Sequence, residues 1–378
     1  MLAIASLLFM FVFGIDLIFG NWSTAWLEDL APWSEPNPPK VSVLIPARNE
    51  ERNIREALQS VLQQDYPDLE FIVVNDRSTD RTGAILSEIA VADPRLRVIE
   101  ITELPSGWLG KNFALFRASE EARGKLLLFM DADIVMDASA ISRAVRYCSE
   151  RHLDHLAIMP AVIMPGVLLR MFTSSFGIFF AAYARPWKAK DPKSKAYIGI
   201  GAFNMVRATA YRAAGTHRAI AMRPDDDMKL GKLLKRQGYR QEMVVGAPLL
   251  SVEWYASLRE VIDGLMKNTF AGVEYSVSAS IASGIVIFAM HVWPFVALLI
   301  THGLLWWLNL AIVLGLLVGI AASNRYHGLP SWYSIGHPLC SVLFVYILWK
   351  STAITLWNDG IRWRGTHYPL ALLKANKV

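Results

Sequence analysis

The chain has 378 residues, of which 53% are hydrophobic and 19% are charged, and 38 basic residues against 33 acidic ones give a formal net charge of +5. Globular domains contain about 25% charged residues, so the composition is too apolar for an ordinary soluble protein and too charged for one lying wholly within a membrane. Disordered, collagen-like and coiled-coil classes are excluded. The two cysteines, Cys148 and Cys340, exclude a disulfide-rich scaffold. The sequence contains no repeat of aromatic and basic residues, so we expect the excess positive charge to bind a membrane surface rather than nucleic acid.

The first 40 residues combine an apolar run with a segment rich in Trp and Pro. Residues 1–20 are apolar except for Asp16, which lies near one end, where water or a neighbouring helix can reach it. No Lys or Arg precedes Gly20, which argues against a secretory signal peptide. We therefore predict a retained transmembrane anchor at 1–20. Residues 21–40 hold three Trp and four Pro, and we predict a linker along the membrane–water interface there, because Pro interrupts helices and Trp favours that interface.

Three further apolar runs are each long enough to cross a bilayer. They span about 277–300, 303–322 and 335–357. His291 and Pro294 favour a kinked or re-entrant path for the first run. We therefore predict a C-terminal transmembrane region over 271–357 with two or three spans.

The basic residues at the ends of these regions indicate the orientation. Lys40 and Lys267 flank the charged middle of the chain, and basic flanks favour the cytoplasmic side. We expect an integral protein of the inner membrane with its middle region in the cytoplasm. Three complete crossings would place the basic tail 358–378 outside, whereas its own Arg and Lys residues favour the inside, so the side of the tail is left open.

Residues 41–270 alternate short β-branched runs with helical patterns. The predicted strands are VSVLIPA, DLEFIVVND, LRVIEI and KLLLFM. This alternation predicts an α/β domain with a mostly parallel, Rossmann-like sheet. Such sheets bind ligands at the carboxyl ends of their strands, so the residues directly after each strand are the candidates for a site.

Polar residues follow three of these strands. They are Pro46, Ala47, Asn49 and Glu50 after the first strand, Asp76 at the end of the second, and Asp131 and Asp133 after the fourth. Because the carboxyl ends of parallel strands meet at one edge of a sheet, we expect these residues to converge.

The Asp131-Ala132-Asp133 sequence predicts a metal site. Two carboxylates one residue apart can share a hard cation, and Mg²⁺ or Mn²⁺ takes oxygen ligands together with substrate phosphates. The alternative is that Asp133 caps the following helix. The preceding βαβ pattern favours the metal.

Neither GxxxxGK[ST] nor GxGxxG occurs in the chain, so a bound diphosphate would need a metal and side chains for neutralisation. Lys111 is the candidate, with a solvated surface lysine as the alternative. Asp225, Asp226 and Asp227 precede a helical pattern, where carboxylates are favoured by the helix dipole. Capping explains one of them, but three adjacent carboxylates repel each other and imply a positive partner or a general base.

The segment 161–183 is very apolar although it lies inside the charged region. We predict an interfacial amphipathic segment beside lipid, with a buried core helix as the alternative. The sequence Gly199-Ile200-Gly201-Ala202 would let the backbone approach a sugar and its acceptor closely.

Five segments occur in the order and spacing of family 2 glycosyltransferases with the GT-A fold, a family that the chain resembles over about 41–250. These segments are VSVLIPARNEERNI, VVNDRSTDRT, GKLLLFMDAD, GIGAFNMVR and RPDDDMKLGKLLKRQGYR. The resemblance implies a GT-A nucleotide-sugar-binding domain over 41–270. It also implies that Pro46, Ala47, Asn49 and Glu50 frame the nucleotide.

The resemblance implies further roles. The residue matching Asp76 reads the nucleotide base in that family, and the preceding position, usually Asp, is Asn75 here. Asp131 and Asp133 match the metal-binding pair. The family's general base is the second residue of a later acidic pair, which implies Asp227 here, with Asp226 in reserve.

Other segments bear on the acceptor. The Gln-(Gln/Arg)-x-Arg-Trp motif of processive synthases and ceramide glucosyltransferases is missing, and the corresponding stretch DGLMKNTFAG offers Lys267 and Asn268, which we place on the acceptor side with Gly201. LPSGWLGKNFA, the anchor with the C-terminal spans, and IRWRGTHY are similar to membrane-bound transferases of hopanoid and glycosylated-carotenoid pathways. WRGTHY also resembles the C-terminal end of ceramide glucosyltransferases.

We therefore predict a membrane-bound, inverting glycosyltransferase that moves a sugar from a nucleotide-sugar, a UDP-sugar by the family's preference, to a lipid hydroxyl or carboxylate. Mg²⁺ or Mn²⁺ is the expected cofactor, and the catalytic domain is expected in the cytoplasm. The alternatives are a catalytically silent nucleotide-sugar-binding scaffold in a lipid pathway, a transporter, and a processive polysaccharide synthase. The missing motif disfavours the synthase, and the nearly uncharged C-terminal runs disfavour the transporter.

Overall fold

The structure is a computed structural model that describes residues 2–378, with every side chain except those of Leu2 and Ala5. The chain forms two compact units. The sheet unit consists of Thr24–Val162, Pro186–Glu253 and Ala375–Val378. The helical unit consists of the residues up to Ser23, Ile163–Arg185 and Trp254–Lys374.

The helices and strands alternate over the first half of the chain, and helices dominate the second half. The α-helices of the described residues are α1 (Leu2–Trp22), α2 (Ile54–Leu62), α3 (Thr82–Ala92), α4 (Gly110–Glu121), α5 (Ala140–Glu150), α6 (Val167–Ala184), α7 (Ala208–Ala213), α8 (Asp226–Arg236), α9 (Leu258–Gly272), α10 (Val277–His291), α11 (Trp293–Ile300), α12 (Gly303–Tyr326), α13 (His337–Trp357) and α14 (Leu370–Ala375). The strands are β1 (Val41–Ala47), β2 (Leu69–Asp76), β3 (Leu96–Ile101), β4 (Leu126–Phe129), β5 (Ile134–Met136), β6 (His155–Met159), β7 (Ala161–Ile163), β8 (Asn204–Arg207), β9 (Gln241–Val245), β10 (Leu250–Glu253), β11 (Gly360–Trp363) and β12 (Thr366–Pro369).

Seven strands of the sheet unit form the main sheet, in the order β3-β2-β1-β4-β8-β6-β9. Strand β8 runs antiparallel to β4 and β6, and the other neighbours pair in parallel. The predicted α/β class with a mostly parallel sheet is confirmed, and the four predicted strands are β1 to β4. A small sheet, β5-β10-β7, and the antiparallel hairpin β11–β12 complete the strands described.

The strands form where the sequence is apolar on both faces, as parallel strands covered by helices require. Leu44, Ile72 and Leu127 are fully buried on adjacent strands, and Ala114 and Ala118 of α4 lie in the same cluster. Each fully buried Leu or Ile stabilises the fold by about 1.5–3 kcal/mol relative to an exposed one. The sheet is therefore a rigid base for the loops at its carboxyl edge.

The predicted linker 21–40 packs on the sheet unit from Thr24 onward, and its path along the membrane surface stays a prediction. Leu27 is fully buried. Trp26 forms a β-bridge with Val245, and the Trp33 amide donates to Ser142 Oγ at 2.9 Å. The physical reason is that these apolar side chains find protein partners.

The helical unit contains a charge pair between two apolar helices. Asp16 of α1 lies 3.4 Å from Arg185 Nε, at the C-cap of α6. A neighbouring segment therefore reaches Asp16, as the sequence predicts.

By length and apolar composition, three helices of the described residues could cross a membrane: Val167–Lys188, Gly303–Tyr326 and Ser331–Trp357. A fourth is possible if Leu258–Gly272 and Val277–His291, bent by 115°, form one span. The predicted run 277–300 is broken at Val292, next to Pro294, as predicted. The predicted anchor forms α1, in which Ser6–Trp22 is apolar but shorter than these three helices. Its insertion into a membrane stays a prediction.

The segment 161–183 differs from its predicted place in the 41–270 domain. Most of it forms α6, which clusters with the helical unit. Phe176 of α6 contacts Phe344 of α13 with ring centroids 6.1 Å apart, and Ser175 Oγ lies 3.0 Å from His337 Nδ1. Its aromatic face therefore packs on another apolar helix. Residues from Trp254 onward also belong to the helical unit, before the predicted boundary at 271.

The predicted basic tail 358–378 is folded. It forms the β11–β12 hairpin and α14, and Ala375–Val378 joins the sheet unit.

Candidate active site

The loops that follow β1 and β2 are tied together at the carboxyl edge of the main sheet. Ala47 pairs with Asn75, and Pro46 with Val74, in parallel register. Asn49 Oδ1 accepts from the Thr79 amide at 2.8 Å, and the Glu50 amide donates to Thr82 Oγ1 at 2.8 Å. The structure thus brings the four predicted residues after the first strand beside the loop that carries Asp76.

Asp76 is buried and oriented by two arginines. Its carboxylate accepts from Arg77 Nε at 2.7 Å and Arg77 Nη2 at 3.1 Å, and Arg48 Nη1 lies 3.5 Å away. A side chain at Gly110 would overlap the same carboxylate and would force it to move. Both arginines belong to the polar sets that follow the first two strands, but their pairing with Asp76 could not be predicted, because no sequence pattern specifies side-chain directions in loops.

Lys111 connects two of the predicted acidic sets. It follows Gly110 at the start of α4, and its Nζ lies 2.8 Å from Asp131 Oδ1 and 3.5 Å from Asp226 Oδ1. Burial alone would lower the pKa of Lys111, but the carboxylates of Asp131, Asp226 and Asp227 raise it above its ordinary value. The lysine is therefore a charged member of the cluster and not a solvated surface residue.

Gly201 joins the metal-binding candidate to the base candidate through its backbone. Its carbonyl accepts from the Asp131 amide at 2.9 Å, and its amide donates to Asp227 Oδ2 at 2.9 Å. Residues that line one small pocket include Lys111, Asp131, Gly201, Asp226 and Asp227. Two acidic residues far apart in sequence therefore face one cavity.

Asp227 has the environment of a proton acceptor. Its Oδ1 accepts from the Met228 amide at 2.7 Å. Burial raises the pKa of Asp227, against the lowering effect of Lys111. A carboxylate with a raised pKa takes up a proton more readily than a solvated one.

Asp225 has a structural environment instead. It occupies the N-cap position of α8, but its carboxylate pairs with Arg223 at 2.9 and 3.0 Å and with Lys229 Nζ at 3.4 Å. All three residues are buried. The positive partner that the acidic triplet implies is therefore present, and it orients the first turn of α8.

The loop before this triplet is fixed by Asn112, which the sequence did not single out. Asn112 Nδ2 donates to the carbonyls of Ile220 and Arg223, both at 2.8 Å. Asn112 itself is fully buried. The residue next to Lys111 therefore holds the segment that leads to Asp225.

Part of the sheet unit matches a known protein family. Residues 42–213 match the family model described as Glycosyl transferase family 2. Residues 42–213 belong to glycosyl transferase family 2. The predicted resemblance to family 2 glycosyltransferases is confirmed for this stretch of the chain.

Curated relatives of this glycosyltransferase domain cover differing shares of the chain. The "Probable glycosyltransferase YdaM" of Bacillus subtilis (strain 168) is 42% identical over 105 residues, 27% of this chain and 25% of the relative. The "4,4'-diaponeurosporenoate glycosyltransferase" of Staphylococcus aureus (strain MRSA252) is 22% identical over 345 residues, 88% of each chain. The chain spans between 25% and 61% of the length of the first three curated relatives that it matches.

A solved structure shares the fold. The mannosyltransferase PcManGT from Pyrobaculum calidifontis, in complex with GDP-Man and Mn²⁺, superposes with a TM-score of 0.55 at 19% identity, covering 95% of this chain and 99% of that one. The predicted GT-A fold of the glycosyltransferase is confirmed.

The acidic residues of the glycosyltransferase domain fit a divalent cation. Asp133 Oδ1 is buried and accepts no hydrogen bond from any residue that the structure describes. Burial, with the charges of Asp131 and Glu50, raises the pKa of Asp133 to about 7. No group of three or more His, Cys, Asp or Glu side chains among residues 2–378 is arranged to hold a metal. Two carboxylates match Mg²⁺ or Mn²⁺, which complete their coordination with water and substrate phosphates.

Two residues predicted for the acceptor side lie outside the sheet unit. Lys267 and Asn268 are on α9 of the helical unit. Lys267 Nζ lies 4.3 Å from the centre of the Trp363 ring, in the β11–β12 hairpin. The DGLMKNTFAG and IRWRGTHY segments are therefore in contact, which the sequence did not predict. Neither Asp76 nor Asp133 is among the residues that line the small pocket.

Proposed function

We propose that this glycosyltransferase moves a sugar from a nucleoside-diphosphate sugar to the hydroxyl or carboxylate of a membrane lipid, with inversion at the anomeric carbon. The observation that carries the proposal is the meeting of Lys111, Asp131 and Asp227 around one pocket, bridged by Gly201.

Donor binding rests on the first two loops and on Lys111. Pro46, Ala47, Asn49 and Glu50 would frame the nucleotide, and Asp76 would contact its base. The ammonium group of Lys111 would neutralise charge that develops on the departing diphosphate. A UDP-sugar remains our expected donor, and the fold neighbour solved with GDP-Man makes a GDP-sugar the donor to test beside it.

Asp131 and Asp133 would hold Mg²⁺ or Mn²⁺. When bound, such an ion offsets the negative charge on the diphosphate oxygens.

The transfer step is a single displacement. The acceptor hydroxyl oxygen bonds to the anomeric carbon while the bond from that carbon to the diphosphate breaks, and the diphosphate leaves with the electron pair. Asp227 takes the hydroxyl proton, and Asp226 remains the reserve candidate. A carboxylate acceptor needs no proton acceptor. Attack opposite the leaving group gives inversion.

We infer the membrane arrangement from the path of the chain. The segment Ile163–Arg185 leaves the sheet unit and returns to it with a single helix, α6. Although α6 is long enough to cross, both of its ends continue into one unit, so it lies along the membrane surface.

The path of the chain also limits the number of C-terminal crossings. Trp254–Lys374 also leaves the sheet unit and returns to it, so it crosses the bilayer an even number of times. Two of the three predicted runs then cross, and the third is re-entrant or interfacial. The positive-inside rule favours the cytoplasmic side for the exposed Arg362 and Arg364.

A lipid acceptor is favoured by the apolar helical unit and by relatives named 4,4'-diaponeurosporenoate glycosyltransferase. The acceptor side would include Gly201, Lys267 and Asn268.

The test measures transfer from labelled UDP- and GDP-sugars to membrane lipid extracts by the full-length protein in nanodiscs. We expect Asp227→Asn and Asp133→Ala to abolish transfer to a hydroxyl acceptor, and the exposed control Glu88→Gln to retain it. Undiminished transfer by both site variants would refute these roles. Donor binding in calorimetry without turnover on any lipid extract would instead support the scaffold alternative.

A further inference from the structure

We propose that Asn376 is a positioning residue for sugar transfer, because its side chain clamps the loop that leads to the catalytic carboxylates. This inference rests on the proposed function and concerns only residues of the sheet unit. The 375–378 segment belongs to that unit, although the residues just before it belong to the helical unit.

The clamp is a pair of hydrogen bonds from one amide group to two backbone groups. Asn376 Oδ1 accepts from the Met222 amide at 2.9 Å, and Asn376 Nδ2 donates to the Ala219 carbonyl at 2.9 Å. Val378, two residues on, packs against the hydrophobic core of the sheet unit. A short segment from the far end of the sequence is therefore anchored at two points.

The clamped loop is also held from its opposite side. Asn112 Nδ2 binds the carbonyls of Ile220 and Arg223, and the Leu109 amide donates to the Ala221 carbonyl at 2.8 Å. The loop begins at His217, which lines the small pocket and whose Nδ1 lies 2.8 Å from the Tyr211 hydroxyl. Residues 217–223 are thus fixed by side chains from α4 and from the 375–378 segment.

The loop ends at the acidic triplet. Arg223 forms a bidentate ion pair with Asp225, the N-cap residue of α8. In the first turn of α8, Asp226 lies near Lys111 and Asp227 accepts from the Gly201 amide. A loop without such anchors is ordinarily mobile. Because a displacement of about 1 Å at a reacting group can cost a hundredfold in rate, anchoring this loop contributes directly to the position of Asp227.

The experiment compares Asn376→Ala, Asn376→Asp and the control Lys377→Ala in the full-length protein in nanodiscs. Lys377 is an exposed neighbour in the same segment. Asn376→Ala removes both hydrogen bonds, whereas Asn376→Asp keeps an acceptor for the Met222 amide. We expect kcat to fall about tenfold in Asn376→Ala, with an unchanged KM for the donor and an intermediate value for Asn376→Asp. The control should match the wild type.

Hydrogen exchange supplies a readout that does not depend on transfer. We expect faster amide exchange at 219–223 in Asn376→Ala than in the wild type. The inference is overturned if kcat is unchanged, or if kcat, the donor KM and the melting temperature all worsen together, as a purely structural defect would cause. If the wild type transfers no sugar, the proposed function fails, and unchanged exchange at 219–223 then separately refutes the clamp.

Discussion

Replacing Gly201 by Ala should misplace the catalytic groups while leaving the fold intact. A Cβ atom at this position would lie 2.6 Å from Asp131 Oδ2 and 3.5 Å from Lys111 Nζ. Ordinary contact begins at 3.4 Å, so the Asp131 carboxylate must move by about 0.8 Å. The backbone of Gly201 is not among the positive-φ positions of the described residues, so alanine adds no backbone strain there.

The expected loss follows from that displacement. A shift approaching 1 Å at a reacting group costs on the order of 10- to 100-fold in rate, which corresponds to about 1.4–2.7 kcal/mol of transition-state stabilisation. We expect kcat to fall by this factor, because the new methyl group pushes the Asp131 carboxylate away from Lys111 while Gly201 still donates its amide to Asp227.

The assay is sugar transfer to lipid extract by Gly201→Ala, with Gly319→Ala as the matched control. A methyl group at Gly319 would meet nothing within 4 Å, so the control should keep full activity. Both variants should melt near the wild-type temperature. Transfer by Gly201→Ala within twofold of the wild type would refute the reasoning, since the crowding of Asp131 would then have no catalytic consequence.

Three further predictions concern charge. Because burial raises the pKa of Asp227, transfer to a hydroxyl acceptor should rise with pH as this carboxyl ionises, and transfer to a carboxylate acceptor, which needs no proton acceptor, should lack that rise in the pH–rate profile. Because the pKa of Asp133 is about 7 and metal ligands must be deprotonated, Mn²⁺ affinity measured by electron paramagnetic resonance should increase with pH through that value; a flat profile would contradict a role for Asp133. Arg223→Met should lower the free energy of unfolding of the sheet unit by about 3–5 kcal/mol, because it leaves the buried Asp225 carboxylate without its two-pronged partner. Denaturant titration measures that loss. The control is Arg259→Met at an exposed position, which should change the free energy of unfolding by less than about 1 kcal/mol.

The central sheet could be predicted because its signal is local. Strands β1 to β4 are apolar runs bounded by polar residues, and their parallel order places the residues after them at one edge. Asp131 was predicted for this reason, Lys111 because a diphosphate would need a positive side chain, and Asp227 from the acidic triplet and the family resemblance; all three line one pocket in the structure.

The remaining features depend on contacts between distant residues. Arg77, Asn112 and Asn376 owe their importance to partners such as Asp76 or the carbonyl of Ile220, which no local sequence pattern specifies. The packing of α6 on α13 could not be predicted for a different reason. An apolar helix has the same pattern whether it packs in a domain core or against α13, and only its partner distinguishes the two cases.

The sheet unit is assembled from pieces that a ribosome produces at very different times. Its third piece, Ala375–Val378, emerges only after the whole stretch Trp254–Lys374 has been synthesised. Nascent domains commonly fold as soon as they are complete, so the earlier pieces can form the sheet while the loop at 217–223 still lacks its last anchor. The loop at 217–223 would then reach its final geometry only after the stretch Trp254–Lys374 had been synthesised, so the position of Asp227 would depend on completion of the helical unit.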